Sequence, residues 1–394
     1  MTGMSSPTTV ISVRSQRSRV CQATISAVPA QKAVEADHAR ELPDRAVDDA
    51  HSPIMRYGLL ISPSANRVYA ESSVALTQAE LGLLGRAVLG DRIGDVGLST
   101  LGGVPYVTFE VDGLTERDVA YLANLSSVYA LFQLEGELLR PVGLDRLDRY
   151  DDDLVTIPKY AGKTNEQFTK LLLNVTVLSS AFAGDFLDRP LRVLDPLCGR
   201  GTTLNQAIMY GFDAAGIDRD QQDFEAYSTY LSTYLKRKRI KHKIETAPIR
   251  RNRQVVARRL HATLAADRDD YRAGDTQEVE VINADTTKAR EFFRAASFDV
   301  LVADAPYGVK HGSRTDAGLV RSPLDLLEVA APGWVELLRP GGALGIAWNT
   351  VVAKREEAAA VLAGAGLEPL ETDGFRHRVD QSIVRDVIVA RRPL

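Results

Sequence analysis

Five short apolar runs constrain the fold of this chain more than any other feature. They are RVLD (192–195), AAGID (214–218), VEVINAD (279–285), FDVLVAD (298–304) and GALGIAW (342–348). Each has strand length, helical patterns lie between them, and four of the five end at or near an acid or polar residue. Buried strands alternating with helices predict an open parallel sheet with helices on both faces, an α/β, Rossmann-like fold. Ligands of such sheets sit outside the carboxyl ends of the strands. The acids Asp195, Asp218, Asp285 and Asp304 are therefore predicted to share one site.

The first of them opens VLDPLCGRGTTL, Val193 to Leu204. A strand runs into Asp195, then a turn bearing Gly199 and Gly201, then a helix. Glycines there let the backbone approach a ligand closely, and the helix amides that follow favour a negative group. Leu204 stands where the third glycine of a dinucleotide fingerprint would be, and no G-K-[ST] follows to make a phosphate loop. An acid before the turn suits a ligand with a positive centre and an amino group, and S-adenosylmethionine fits better than a pyrophosphate. Asp218, 23 residues on, is placed to accept both ribose hydroxyls. Asp285 is placed to accept from the adenine amine, with Ala284 or Thr286 supplying a backbone amide.

Why a buried strand should end in Asp304-Ala305-Pro306-Tyr307 is the next question. An aromatic amine is a poor nucleophile because its lone pair is delocalised into the ring. Two acceptors aimed at the NH2 group hold it, localise the lone pair and help remove the proton. Asp304 would supply one acceptor and the Ala305 carbonyl the other. Pro306 restricts Ala305 to an extended conformation, and Tyr307 would stack on the base. The tetrad resembles the (D/N/S)-P-P-(Y/F/W) motif of methyltransferases that act on exocyclic amino groups, with Ala305 in place of the first proline.

Taken together these motifs resemble class I S-adenosylmethionine-dependent methyltransferases, and most closely the tRNA guanosine-10 N2-methyltransferase family. DPLCGRGTT is similar to that family's D-P-x-C-G-x-G-[ST], and DAPYGVKHG to its D-P-P-Y-G-[VI]-[RK]-x-G. GKTNEQFTKLLLN resembles its segment ahead of the catalytic domain, and SSVYALFQLEGEL faintly resembles the end of its first N-terminal subdomain. The likeness covers Lys159–Leu394 well and Arg56–Val142 poorly. It implies a seven-stranded class I domain over 159–394, and it adds Thr164, Cys198 and Thr202 to the residues expected at the cofactor. The family usually carries an RNA-binding THUMP domain, and the chain before Lys159 is too short for a ferredoxin-like domain and a full THUMP domain together.

Ahead of that domain, residues 1–52 are rich in Ser, Thr, Ala and charge with no apolar period. They are expected to be a disordered tail; a transit peptide and a start codon placed too early are the alternatives. Residues 53–145 read as a small α+β, ferredoxin-like domain, suited to RNA recognition or to a structural role. In it YGLLIS, VYAESS, VPYVTFEV, VYALFQL and ELLRPV read as strands. TQAELGLLGRAVLG reads as a helix from Thr77 to a stop at Gly90, and TERDVAYLANL as another. LDRLDRYDDD reads as a linker. Thr164 and Gln167 have capping-box spacing before a helix whose Phe168, Leu171, Leu172, Val175 and Leu178 share one face. GFRHRVDQSIVRDVIVARRP reads as two antiparallel strands that finish the sheet.

Net charge is −4, so a nucleic-acid partner must meet a local basic patch. Residues 236–260 hold eleven Lys or Arg and one Glu, and are expected to touch RNA phosphates beside the cofactor edge; a solvated helix face is the alternative. Lys310, His311 and Arg314 would extend that surface, and Trp348 and Asn349 would line the pocket or simply pack. Two cysteines far apart fit a reducing cytoplasm, no apolar run spans a bilayer, and the histidines show no metal spacing. The expected partner is RNA, with no membrane and no metal; nothing in the residues sets an oligomeric state. DNA N6-adenine or N4-cytosine methylation is a rival reading, weakened by the 87 residues after the tetrad, which leave no room for a DNA-reading domain. A decayed, RNA-binding relative of the same fold is a third, resting on Ala305 alone.

Overall fold

The computed structural model describes residues 54–64, 67–90, 92–160, 162–305, 314–315, 318–319 and 322–394, and His51–Leu394 forms one compact unit. The expected tail, 1–52, lies outside the described residues. A small sheet comes first: β1 (Ile54–Ile61), β2 (Ile93–Leu101), β3 (Val104–Asp112), β4 (Val128–Glu135) and β5 (Leu138–Val142). Helix α1 (Arg67–Val88) joins β1 to β2, and α2 (Glu116–Ala123) joins β3 to β4. The order is β2-β3-β1-β4-β5, with every neighbouring pair antiparallel.

Two further helices, α3 (Asp153–Thr156) and α4 (Glu166–Leu178), lead into the large sheet. It begins with β6 (Arg192–Asp195), α5 (Thr202–Met209), β7 (Asp213–Asp218) and α6 (Gln221–Arg237). Then come the hairpin β8 (Lys241–Arg251) and β9 (Gln254–Ala265), α7 (Arg268–Ala273), β10 (Gln277–Asn283) and β11 (Phe298–Asp304). After the two-residue pair β12 (Arg314–Thr315) and β13 (Gly318–Leu319) follow α8 (Pro323–Leu337), β14 (Leu338–Asn349) and α9 (Arg355–Gly364). The chain ends with β15 (Glu368–Leu370), β16 (His377–Arg378) and β17 (Val384–Arg391). The strand order is β15-β17-β14-β11-β6-β7-β10-β9-β8, with β16 beside β17. Pairing is parallel from β10 through β7, β6 and β11 to β14, and antiparallel at β17. Ten strands stand where seven were expected, among the described residues, because the hairpin widens one edge and β16 adds a short pair at the other.

Both faces of the central strands are buried, which is why they read as continuous apolar runs. In β11, Val300 and Val302 join the core under α4, α5 and α6, while Leu301 and Ala303 join the core under α8 and α9. The first of these cores runs without a break into the small sheet, taking in Leu59, Phe109 and Leu131. Helix α4 lies between the two sheets, so Phe168, Thr169 and every residue from Leu171 to Leu178 are buried, and the expected single stripe becomes a helix covered nearly all round. Its cap is Asn165, whose side chain accepts from the Phe168 amide at 3.1 Å; the Thr164–Gln167 capping box does not form. The stretch read as a linker is tied down: the Leu147 amide reaches Asn124 Oδ1 at 3.0 Å and the Tyr150 hydroxyl reaches Gln277 Oε1 at 2.6 Å.

VYAESS is helix, not strand. Tyr69, Ser73, Leu76 and Glu80 fall on one buried helical stripe, a period that a six-residue window hides. Thr77 is therefore mid-helix, its hydroxyl bonded to the Ser73 carbonyl at 2.7 Å, while the helix does stop ahead of Gly90, whose φ is +62°. The basic segment is also not one patch. It folds as the tail of α6 plus most of the β8–β9 hairpin, so its cations spread along a strand about 35 Å long.

Helix α4 meets β14 where Gly345 lets it in: a Cβ there would lie 1.9 Å from Thr176 Oγ1. Gly345→Ala should therefore lower stability by about 1–3 kcal/mol in urea denaturation. Gly364→Ala, at the end of α9 with nothing within 4 Å, should leave it unchanged or raise it.

Candidate active site

The carboxyl ends of β6, β7, β10 and β11 lie side by side, and each carries its acid to the same edge: Asp195, Asp218, Asp285 just past β10, and Asp304. Register fixes this, since Leu194 pairs with Leu301 and Asn283 with Asp218. After Asp195 the turn uses Gly199 at φ +45° and Gly201 at φ +75°, where an ordinary side chain is strained. Gly201 caps α5, and a Cβ on it would lie 2.3 Å from the Tyr227 ring.

Asp218 is held by two amides, Gly199 to Oδ2 at 2.9 Å and Asp220 to Oδ1 at 2.8 Å. Each oxygen keeps acceptor capacity for a ligand hydroxyl. Asp195 is 3% exposed and accepts from the Leu197 amide at 3.0 Å. Burial pushes its carboxyl up to about 7, with Asp304 and Asp218 acting in the same sense. Burial raises Asp218 as well. Asp285 is nearly buried, and its Oδ1 accepts from the Thr287 amide at 2.9 Å while Arg219 stands 3.5 Å from Oδ2. Ala284 is not the free amide expected of it, because it donates to the Asp218 carbonyl at 3.0 Å. Thr286 accepts from the Trp334 indole at 3.1 Å.

Cys198 touches the site through its backbone. Its amide donates to the Ile217 carbonyl at 3.3 Å, and its sulfur covers Gly216, where a Cβ would lie 2.7 Å away. Burial pushes its thiol well up. The Thr202 hydroxyl is 2.8 Å from that of Tyr160, a residue that no motif in the sequence marks. The Arg200 guanidinium lies 4.9 Å from the centre of the Tyr160 ring and pairs with Asp223 at 2.7 Å. Tyr160 lies in a polar loop with no periodic signal, so only its nearness to Gly162 hinted at it.

At the end of β11, Asp304 Oδ2 accepts from the Thr164 hydroxyl. Ala305 is buried, and its amide donates to the Ala347 carbonyl at 3.2 Å, tying the tetrad to β14. Pro306, Tyr307, Lys310, His311 and the side chain of Arg314 lie outside the described residues. Asn349 packs, and Trp348 both packs and lines a small apolar cavity beside Leu197, Ala303 and Ala305. The Trp348 indole donates to the Ala353 carbonyl at 2.9 Å, and Asn349 Oδ1 accepts from the Val351 and Val384 amides at 3.2 Å.

Residues 187–322 match the family model described as UPF0020: RMKL-like, methyltransferase domain. No curated protein matches the sequence. Among solved structures, the chain is similar to a TehB-like S-adenosylmethionine-dependent methyltransferase from Corynebacterium glutamicum, at 16% identity over 54% of this chain and 85% of that one, TM-score 0.31. It is also similar to the N-methyltransferase NodS from Bradyrhizobium japonicum, at 14% identity over 58% and 96%, TM-score 0.33. TM-scores this low add nothing to what the strand order shows. The family match supports a methyltransferase, and S-adenosylmethionine is the expected cofactor. The residues present fit it: a turn that Gly199 and Gly201 carry at positive φ, a dihydroxyl acceptor in Asp218, and a buried acid in Asp195 for a cationic centre.

That fit carries a pH dependence. Asp195 meets a cation well only when ionised, so S-adenosylmethionine affinity should rise several-fold from pH 6 to 7.5 as the carboxyl titrates near 7. Calorimetric titration of the wild type should show this, with weaker and flatter binding in Asp195→Asn. A wild-type affinity independent of pH would contradict it.

Proposed function

We propose that this chain transfers a methyl group from S-adenosylmethionine to an exocyclic amino group of a nucleic-acid base, N2 of guanosine in tRNA. The observation that carries the reading is the Thr164–Asp304 hydrogen bond at the end of β11, one strand away from the glycine turn after β6. It aims a carboxylate at the place where an acceptor amine would meet a ligand held by Asp195, Asp218 and Asp285. The order β10-β7-β6-β11-β14-β17-β15, with β17 alone reversed, supports a seven-stranded class I core over 159–394, to which β8, β9 and β16 are additions. The path β1-α1-β2-β3-α2-β4 with order β2-β3-β1-β4 supports a ferredoxin-like small domain over 53–145.

Bound S-adenosylmethionine supplies the electrophilic methyl group. Asp304 accepts a hydrogen bond from the target amine and turns its lone pair away from the ring; it stabilises the positive charge that grows on nitrogen as the new N–C bond forms and the sulfur–methyl bond breaks, and then helps remove the proton that the nitrogen loses. Thr164 fixes the carboxylate in that pose, so little reorganisation is left for the reaction itself. The Ala305 carbonyl is the second acceptor, its residue held by the bond to Ala347. Pro306 would restrict Ala305 to an extended conformation, and Tyr307 would stack on the unstacked base.

Radiolabelled methyl transfer to bulk tRNA, followed by nucleoside analysis, tests this. The wild type should yield N2-methylguanosine, and Asp304→Ala should lose roughly 10²–10³-fold in rate. Thr164→Val should lose about tenfold in kcat with unchanged S-adenosylmethionine affinity, as expected for one lost hydrogen bond to the acid. Label appearing in DNA but not in tRNA would overturn the substrate and leave the chemistry.

A further inference from the structure

The β8–β9 hairpin does not end where the sheet ends. In the ladder, Arg258 of β9 pairs with Asn283, the last residue of β10. Gln254 to Ala257 therefore run past the carboxyl edge, a reach of about 13 Å, on the side where Asp285 sits. Every residue from Arg250 to Val256 is exposed, and Val255 and Val256 are 54% and 42% exposed. Arg250 and Val255 face each other across the tip.

Among the described residues, the cations of this segment divide into those with acidic partners and those without. Arg237 and Lys238 pair with Asp153, Arg258 with Glu225, Arg259 with Glu280 and Arg251 with Glu291. The first two tie α6 to α3, and the other three fix the arm to α6, β10 and the turn before β11. The Arg251 and Arg259 pairs border a groove of ≈340 Å³ beneath the tip, so its positive charge is already met. Arg250 and Arg253 remain at the tip. Lys241 and Lys243 stand at the other end of the hairpin, opposite Ala265 and Thr263.

The turn itself gives a second, independent observation. Asn252 and Arg253 form a two-residue loop with φ +49° and +64°. Such loops favour Asn-Gly, because both positions are left-handed. Here the glycine position carries an arginine instead, a residue that does not ease the turn but is well suited to reach a phosphate.

We propose that the hairpin tip is an arm that grips the substrate RNA strand beside the target nucleotide. Arg250 and Arg253 contact its phosphates, and Val255 and Val256 lie against its sugars. The inference rests on the nucleic-acid reading above. It confines that contact to the tip and assigns no contact to the basic base of the hairpin.

The test uses the full chain, fluorescently labelled bulk tRNA over a salt series, and methyl-transfer kinetics. Arg250→Gln/Arg253→Gly removes two charges and eases the turn, so urea denaturation should show no loss of stability. It should bind about tenfold more weakly, flatten the slope of log K against log salt by about 1.4–1.8, and raise KM with kcat and S-adenosylmethionine affinity unchanged. Lys241→Gln/Lys243→Gln should match the wild type. If the tip variant binds and methylates tRNA like the wild type, the arm is wrong and the function stands. Equal losses in the two double variants would overturn the assignment to the tip. A wild type that neither binds nor methylates tRNA would remove the nucleic-acid reading, and the arm with it.

Discussion

Asn174, two turns into α4, is the joint on which the arrangement hangs. Its amide donates to Glu80 at 2.7 Å and to the Asn124 carbonyl at 2.8 Å, and its carbonyl accepts from the Tyr210 hydroxyl at 2.8 Å. Glu80 in turn takes the Ser126 amide. Helix α1, the α2–β4 turn, α4 and the end of α5 are thus tied at one buried point. All of these groups are out of water, and each unmet bond there would cost about 1–3 kcal/mol. The cost falls on the carboxylate most, and burial pushes Glu80 up to about 7. A network with these demands tolerates few alternative packings.

The consequence reaches the site because α4 is short and held on nearly every side. Its N-terminal cap is Asn165, and the residue before that cap is Thr164. A helix clamped at Asn174 and pressed onto β14 at Gly345 leaves Thr164 little freedom, and Thr164 sets Asp304. The small sheet therefore bears on the proposed chemistry without contributing a side chain to it. Its route is mechanical: small sheet, α4, Thr164, Asp304.

The parallel core was legible in the sequence because its central strands are mostly apolar up to the edge, with Asp299 and Glu280 among the exceptions. The acids that mark that edge, from Asp195 to Asp304, were legible for the same reason. The partner of Thr164 was not, because Asp304 is 140 residues away and no local pattern encodes that contact. The β8–β9 hairpin was hidden by its own charges. Lys and Arg occupy strand positions that lie at an edge and need no burial, so alternation is weak, and Asn252-Arg253 lacks the glycine that usually marks such a turn. The first turns of α1 misread as strand because Val68 and Tyr69 are residues that strands favour, while the helical period shows only when Tyr69 is set against Leu76 and Glu80.

The central claim is that four strand-end acids form one site, with Asp304 facing the transferable group of the cofactor. A crystal structure with the S-adenosylmethionine analogue that carries an amine in place of the methylated sulfur addresses it directly. The account predicts ribose hydroxyls on Asp218, the adenine beside Asp285, the amino-acid end near Asp195, and the substituted amine directed toward Asp304. An analogue bound away from the glycine turn, or with that amine turned away from Asp304, would contradict it.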